Sequence, residues 1–205
     1  HILAKDDVYA HENPACFHGN FTKKSTSTGK TLFEEWQRKH KSLLNRARRE
    51  PFVDHYNKKY GRLPIWVAIE VWDFGHLSKI FAGMKYEHKE VIAQKYGVKN
   101  GRTLESWLRS LNFIRNVSAH HSRLWNINML ERAQLPDDAE YWAKLNNARP
   151  FLYFCLMQKL MAVICPNSTW CIRFEELLNE FPESKSIQLE DFGLVDDWRE
   201  WWGLE

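Results

Sequence analysis

Arg115, Asn116 and His120 lie within six positions and carry side chains suited to chemistry on a phosphodiester. Imidazole ordinarily titrates at a pKa of about 6.5, so a histidine can take up or release a proton near neutral pH. A guanidinium is permanently charged and matches a phosphate in fork geometry. Asparagine can orient either partner without adding charge. These residue types predict metal-free cleavage of RNA, in which the 2′-hydroxyl is the internal nucleophile.

The stretch around these residues has helical periodicity, and we expect one helix from about 102 to 122. At 100° per residue, one face collects the apolar side chains Leu104, Trp107, Leu108, Leu111 and Ile114. Arg115 falls within that face, where a charge is unfavourable unless it is paired or faces a wet cleft. Asn116 and His120 are i,i+4 neighbours, whereas Arg115 lies about 140° around the helix from His120. A long Arg side chain, a local distortion or a second subunit would have to bring Arg115 and His120 together. With that condition we expect Arg115, Asn116 and His120 to face a shared cleft.

Spacing alone leaves a structural alternative open. Arg115 or Arg109 could pair with a buried carboxylate, for which Glu70 in the apolar stretch 64–72 is a candidate. His120 would then be an ordinary core histidine. One histidine per chain is also few for separate acid and base roles, and a symmetric dimer would supply two.

The composition narrows the class of protein. The chain has 205 residues, of which 44% are apolar and ten are Trp, which indicates a folded protein with a substantial core. No apolar run approaches the roughly 20 residues of a membrane span. Neither the cysteines nor the histidines have metal-site spacing, so we expect no metal, no cofactor and a reduced, cytoplasmic protein. The residues considered are Cys16, Cys155, Cys165, Cys171, His11, His18, His40, His55, His76 and His88.

Charge is unevenly distributed along the chain, although the formal net charge is only +3. Residues 23–62 hold 12 Lys and Arg against four Asp and Glu, a balance of +8, whereas residues 174–205 hold two against ten, a balance of −8. The basic segment favours a polyanionic partner such as RNA, with a solvated helix face as the alternative. The residues predicted to bind RNA are Arg46, Arg48, Arg49, Lys58 and Lys59, together with His121 and Arg123 after the motif.

The pattern of elements predicts an all-α fold, because no segment alternates β-branched with polar residues. Thr31 and Glu34 predict a capping box at the start of a helix that ends near Arg49. We further expect a buried helix over 64–72 and a long aromatic helix over 139–165 that bends at Pro150. The C-terminal Trp198, Trp201 and Trp202 are expected to cover the core.

Several motifs closely resemble the Abi-like abortive-infection proteins of bacteria. They are LESWL at 104–108, IRNVSAHHSRLWN at 114–126, PIW at 64–66 with Glu70 and FGHLS at 74–78, and FVDHY at 52–56 with KY at 59–60. The resemblance runs from about residue 1 to 165. It places the chain in the HEPN superfamily, whose R-x4-6-H signature would be Arg115 to His120.

The resemblance implies an all-α, HEPN-like helical bundle with additional helices, one domain over 1–205, and a homodimer. It implies a metal-independent endoribonuclease toxin of antiphage defence, with RNA and not DNA or a membrane as partner. Arg115 would stabilise the phosphorane charge, Asn116 would orient it, and His120 would transfer protons. The chain begins at His1, so the family's N-terminal helical region is expected to be missing, and the acidic, Trp-rich stretch 166–205 is an extension beyond the motif.

Two other functions remain open at this stage. One is a non-catalytic module that binds a small structured RNA and regulates a toxin. The other is a helical scaffold that binds a protein partner. The presence of Arg115, Asn116 and His120 together favours the enzyme.

Overall fold

The computed structural model describes residues 1–26, 29–182 and 184–202. The described residues are mostly helical and form no β-strand, which confirms the all-α prediction. The chain divides into two compact units, residues 1–92 and 93–205. The single domain expected from the sequence stays a prediction.

Unit 1 contains seven short to medium helices within its described residues, and the last of them continues into unit 2. They are α1 Ile2–Asp6, α2 Gly19–Thr22, α3 Leu32–Arg46, α4 Pro51–Tyr60, α5 Ile65–Ala68, α6 Phe74–Gly83 and α7 Tyr86–Lys95. Single 3-10 turns cover Ala10–Glu12, Pro14–Cys16 and Ile69–Val71.

The predicted capping box at the start of α3 is confirmed. The backbone N–H of Glu34 donates to Thr31 Oγ1 at 2.9 Å, and Glu34 Oε2 accepts from the Thr31 N–H at 2.7 Å. The helix ends at Arg46, slightly earlier than expected, and Pro51 opens α4. Gly61 ends α4 in the left-handed region, where glycine has no Cβ penalty.

The prediction of one buried helix over 64–72 is wrong. The segment forms only α5 and a 3-10 turn, and Trp66 and Glu70 are exposed. A helix that is apolar almost all round is buried only if neighbours cover every side. Here the cover is incomplete, so Glu70 remains in contact with solvent and needs no buried partner.

The core of unit 1 is built from tryptophans and histidines. Trp36 of α3 stacks on His76 of α6 and on His40, with ring centroids 4.1 and 5.3 Å apart. Trp72 lies edge-on to Trp36 at 5.1 Å, and His11 lies edge-on to His40 at 5.0 Å. All five rings are buried. Aromatic pairs in these arrangements contribute about 0.5–1.5 kcal/mol each beyond area burial.

Unit 2 is organised around two longer helices. Its helices are α8 Gly101–Ala119, α9 Pro150–Ile164, α10 Trp170–Asn179, α11 Leu189–Phe192 and α12 Trp198–Trp201, with a 3-10 segment over Glu140–Lys144. The long helix expected over 139–165 is therefore wrong. Pro150 stands at the first position of α9, where its missing N–H is harmless, so it begins a helix instead of bending one.

The core of unit 2 packs α8 against α9 around fully buried side chains. The largest of these are Trp107, Trp142, Tyr153 and Phe151. Trp198 and Trp202 are also buried, as predicted, and Phe151 contacts both rings. The side chain of Trp201 lies outside the described residues. No helix in the described part of the chain has the length and apolarity that a membrane crossing requires.

Candidate functional site: the C-terminal end of α8

The helix α8 holds the motif residues at its C-terminal end. Its N-terminus is capped by Asn100, whose Oδ1 accepts the Thr103 N–H at 2.9 Å. Trp107 is 1% exposed, and its indole N–H donates to the Gln134 carbonyl at 2.8 Å. Leu111 and Ile114 continue the buried face. These contacts anchor the start and the middle of α8.

Small polar residues add to this anchoring. Ser106 Oγ accepts the backbone N–H of Gln134 at 3.0 Å, and Thr103 Oγ1 donates to Gln134 Oε1 at the same distance. Ser110 Oγ donates to the Ser106 carbonyl at 2.8 Å. Because these groups are nearly or fully buried, their hydrogen bonds specify one position of the helix.

Arg115 is exposed, as expected of an arginine that faces solvent and not a dry core. The ideal wheel puts it near Leu104, but the two residues lie eleven positions apart along the helix. The cover over the buried Leu104 does not extend to Arg115. Arg115 Nη1 donates to Asn116 Oδ1 at 3.1 Å, so the amide holds the guanidinium from the adjacent position.

His120 is also exposed, which excludes the core-histidine alternative. It is the C-cap of α8, and its backbone N–H donates to the Asn116 carbonyl at 3.0 Å. The expected helix from 102 to 122 thus ends slightly early. Arg115, Asn116 and His120 all stand on one solvent-exposed helix end, whereas a shared cleft around them remains a prediction.

His121 has a left-handed backbone, with φ at 53°. Its N–H donates to the Ser118 carbonyl at 3.1 Å, and the Ser122 N–H donates to the Val117 carbonyl at 3.0 Å. This pair of bonds is the Schellman ending, in which glycine is the usual left-handed residue. The side chains of His121 and Arg123 are exposed, as RNA contacts require.

The loop after His121 is fixed by packing. The Trp125 ring lies between Phe181 and Phe192, with centroids 4.3 and 5.1 Å away and planes 16° and 7° from parallel. Arg149 Nη1 donates to the Asn126 carbonyl at 3.1 Å. Trp125 therefore has a structural role, and the backbone of Asn126 is held in the same loop.

Glu70 does not form the ion pair that was suggested for it with Arg115 or Arg109 among the described residues, and Arg109 pairs with Glu131 instead. Arg109, one of its two suggested partners, lies with Nε 2.8 Å from Glu131 Oε2, and both side chains are about half exposed. Glu131 lies in the loop after α8. The sequence of a loop has no periodicity that would predict which residues it brings next to the helix, so Glu131 was not predicted as the partner of Arg109.

The comparisons with known proteins give one match. A family model described as Abi-like protein matches residues 1–126, more than half of the chain. The chain belongs to this family. The match covers the whole of unit 1 and, in unit 2, α8 with the loop to Asn126. No curated protein and no solved structure matches the chain.

Membership links this Abi-like protein to abortive-infection defence in general. The family match includes every residue predicted for the site, since the last of them is Arg123. It ends before α9, so the family pattern does not extend to the helix that packs against α8.

The predicted RNA-binding residues of unit 1 are all exposed. Arg46 ends α3, Arg48 and Arg49 lie in the turn that follows, and Lys58 and Lys59 are in the last turn of α4. Lys58 Nζ lies 2.7 Å from Asp54, and Arg48 donates to Asn45. No ion pair engages Arg46 or Arg49 within the described residues. Arg48 and Lys59 form none there either, although Lys59 lies over the Tyr60 ring, so Lys58 is the one of the five whose charge is already paired.

A buried histidine cluster was missed by sequence spacing. Among the described residues, His11, Glu12 and His40 bring one possible ligand atom each to within 4.8 Å of one another. However, Trp72 Nε1–H donates to His40 Nδ1 at 2.9 Å, which places the ring's own proton on Nε2. Arg62 also lies 3.7 Å from Glu12. A metal would have to displace that proton, so this arrangement opposes metal binding.

Burial keeps these imidazoles neutral. It is the main cause that lowers the pKa of His11 to about 3, with the nearby His40 adding to it. Burial and then Lys41 lower the pKa of His40 to about 4. Burial and then His40 lower the pKa of His76 to about 3. No described residue is a hydrogen-bond partner for a ring nitrogen of His11 or His76.

Proposed function

We propose that this Abi-like protein is a metal-independent endoribonuclease effector of bacterial abortive infection, of the HEPN type. Arg115 would stabilise the charge of the phosphorane, Asn116 would orient the guanidinium, and His120 would transfer protons. The observation that carries the proposal is the presentation of Arg115, Asn116 and His120 together at one exposed, well-anchored helix end.

The hydrogen bond from Arg115 to Asn116 supports this division of roles. Asn116 Oδ1 accepts from one guanidinium nitrogen, which leaves the other N–H groups to donate to a phosphate. A donor held in place before the reaction stabilises developing charge without reorganisation. A buried ion pair would have consumed this charge, and Arg115 forms none within the described residues.

RNA is the proposed substrate, and a homodimer the proposed assembly, in the cytoplasm. Exposed cations on α3, α4 and the turn between them offer a second phosphate-binding surface, in which Arg46 and Arg49 form no ion pair with any described residue. Two copies of the motif in one dimer would supply two His120 side chains, which is one source of a separate general acid and general base.

A non-catalytic role is favoured by the same exposed cations. In that role the protein would bind a small structured RNA and regulate a toxin, and Arg115 would serve only as a phosphate contact. Both roles predict RNA binding, but only the nuclease predicts new RNA ends.

The test is to incubate the chain with total RNA, with and without chelator, and to map the ends. We expect cleavage that chelator does not change and ends with a 2′,3′-cyclic phosphate. His120→Ala should lose about 10²–10⁴-fold in rate while it retains fold and RNA binding. His55→Ala is the matched control, because His55 is exposed but lies outside the segment 115–120. Intact RNA in the presence of folded, RNA-bound wild type would leave the regulatory role.

A further inference from the structure

The helix ends of this protein provide an internal comparison for His121. Besides α8, two helices end with both Schellman hydrogen bonds, and their left-handed residues are Gly97, φ 62°, and Gly193, φ 95°. The simpler left-handed end of α4 also has a glycine, Gly61. His121 is the one described residue other than glycine with positive φ.

Neighbouring atoms explain why position 193 is a glycine. At position 97 no neighbouring atom would exclude a side chain, and only the backbone conformation favours glycine. A Cβ at Gly193 would lie 2.6 Å from the Arg149 Cβ, whereas a Cβ at Gly97 would meet nothing within 4 Å. At Gly97 the positive φ is therefore the one feature of the described surroundings that favours glycine. The end of α8 makes the same demand on φ, yet His121 carries an imidazole there. Histidine enters the left-handed region more readily than most side chains but less readily than glycine, and its position beside Arg115 and His120 points to a role for the imidazole.

We propose that His121 is a second catalytic residue, the proton-transfer partner of His120 within one chain. This inference rests on the proposed nuclease function. His120 and His121 are both exposed at the end of the helix that carries Arg115, and their Cα atoms are about 3.8 Å apart. Imidazoles on adjacent, solvent-exposed residues can turn to serve the two oxygens of one bound phosphodiester. The acid and the base then need not come from separate subunits.

The step balances without any co-reactant. One imidazole accepts the proton of the 2′-hydroxyl as the O2′–P bond forms. The other, protonated, donates its proton to O5′ as the P–O5′ bond breaks. The products are a 2′,3′-cyclic phosphate and a 5′-hydroxyl, and the pair of histidines ends with the same total number of protons.

The first measurement separates strain from chemistry. His121→Gly should raise the Tm by about 1–4 °C, because relief of the left-handed strain outweighs the added freedom of the unfolded chain. Gly97→His places the same residue in the same kind of helix end and should lower the Tm by a similar amount. We therefore expect His121→Gly to be more stable than wild type and to lose activity. We expect Gly97→His to be less stable than wild type and to keep its activity.

The second measurement follows cleavage of a defined RNA at saturating concentration. His121→Gly and His121→Asn should both lose at least about 10²-fold in kcat. Asparagine tolerates the left-handed region and can still contact RNA but cannot transfer a proton. A loss of kcat in His121→Asn therefore identifies proton transfer, and not RNA binding, as the function of His121. Added imidazole should restore part of the rate to His121→Gly, and one limb of the pH–rate profile should disappear.

The outcomes distinguish the two proposals. If wild type cuts RNA and His121→Asn keeps its kcat, His121 is at most an RNA contact and this inference is overturned alone. If only KM rises, the same conclusion holds. If wild type leaves RNA intact, the nuclease proposal fails and takes this inference with it. Loss of kcat with rescue by imidazole supports both.

Discussion

The indole of Trp36 and the imidazole of His76 stack with centroids 4.1 Å apart and planes 14° from parallel. Neither ring nitrogen of His76 has a hydrogen-bond partner among the described residues, although the Trp36 N–H donates to the backbone carbonyl of His76. The ring is therefore held by packing. A proton on it would be a buried charge, and the attraction of Asp73 for that charge is opposed by Lys39, which already forms an ion pair with this carboxylate.

We first predict that the protein loses stability in mild acid. The pKa values of His11, His40 and His76 are about 3, 4 and 3 in the folded state, against about 6.5 unfolded. Above pH 6.5 both states are neutral and this contribution is flat. Between pH 6.5 and about 4 the unfolded chain binds up to three more protons. The free energy of unfolding should fall by up to about 4 kcal/mol per pH unit.

Urea unfolding at pH 7.5, 6 and 5 measures this slope, and matched variants assign it. His76→Phe keeps the stack on Trp36 and removes two buried nitrogens without partners, so it should be neutral or stabilising at pH 7.5. It should also reduce by about a third the dependence of the free energy of unfolding on pH below pH 6.5. His55→Phe changes an exposed ring and should leave the slope as it is. A stability that is constant from pH 7.5 to 5 would contradict the prediction.

The second prediction concerns Arg115. Arg115→Ala should reduce cleavage by about 10²–10³-fold and also weaken RNA binding, because a preorganised fork of charged donors is lost. Arg109→Ala is the matched control on the same helix. Its partner is Glu131 and the pair is half exposed, so we expect less than about 1 kcal/mol in stability and an unchanged cleavage rate. Equal losses in the two variants would show a general effect of charge.

Third, RNA affinity should fall steeply with salt. Each phosphate contact on single-stranded RNA contributes about −0.7 to the slope of log affinity against log salt. Arg46→Ala and Arg49→Ala should each lower the magnitude of that slope by about this amount. Lys99→Ala is the control, because Lys99 already forms an ion pair with Asp137. Titrations at four salt concentrations measure the slopes, and equal slopes in all variants would identify a solvated face.

The fourth prediction tests the sandwich around Trp125. Trp125→Ala removes two stacked contacts and should lower the free energy of unfolding by about 2–4 kcal/mol. Trp125→Phe should lose much less, because the buried indole N–H has no hydrogen-bond partner among the described residues. Thermal unfolding of the two variants gives the comparison. Similar losses in both would mean that the ring stack contributes little.

Local signals were the predictable part of this fold. The capping box of Thr31 and Glu34, the glycine end of α4 and the periodic start of α8 all depend on residues a few positions apart. Pro150 was misread because a proline inside an apolar stretch can bend a helix or begin one. Whether Pro150 bends a helix or begins one depends on how the residues before it pack against the rest of the protein, which the local sequence does not show.

The site was predictable in its residues but not in its exposure. An ideal wheel places Arg115 in the apolar face, yet burial near the end of a helix depends on what packs there. The strain at His121 had no sequence signal, because left-handed φ is set by the hydrogen bonds that end α8. The histidine cluster joins residues 11, 40 and 76, which no short spacing connects.

The stacking of Trp125 between Phe181 and Phe192 also restricts which C-terminal segments can be combined with this α8. The family pattern ends at residue 126, but Phe181 and Phe192, on either side of Trp125, come from the acidic stretch beyond it. The segment within the family pattern and the stretch beyond it thus meet at this stack, in addition to the packing of α8 against α9. A chimera that joins this α8 to the C-terminal stretch of a relative would need all three rings to be matched together, so the two segments are expected to evolve as a pair.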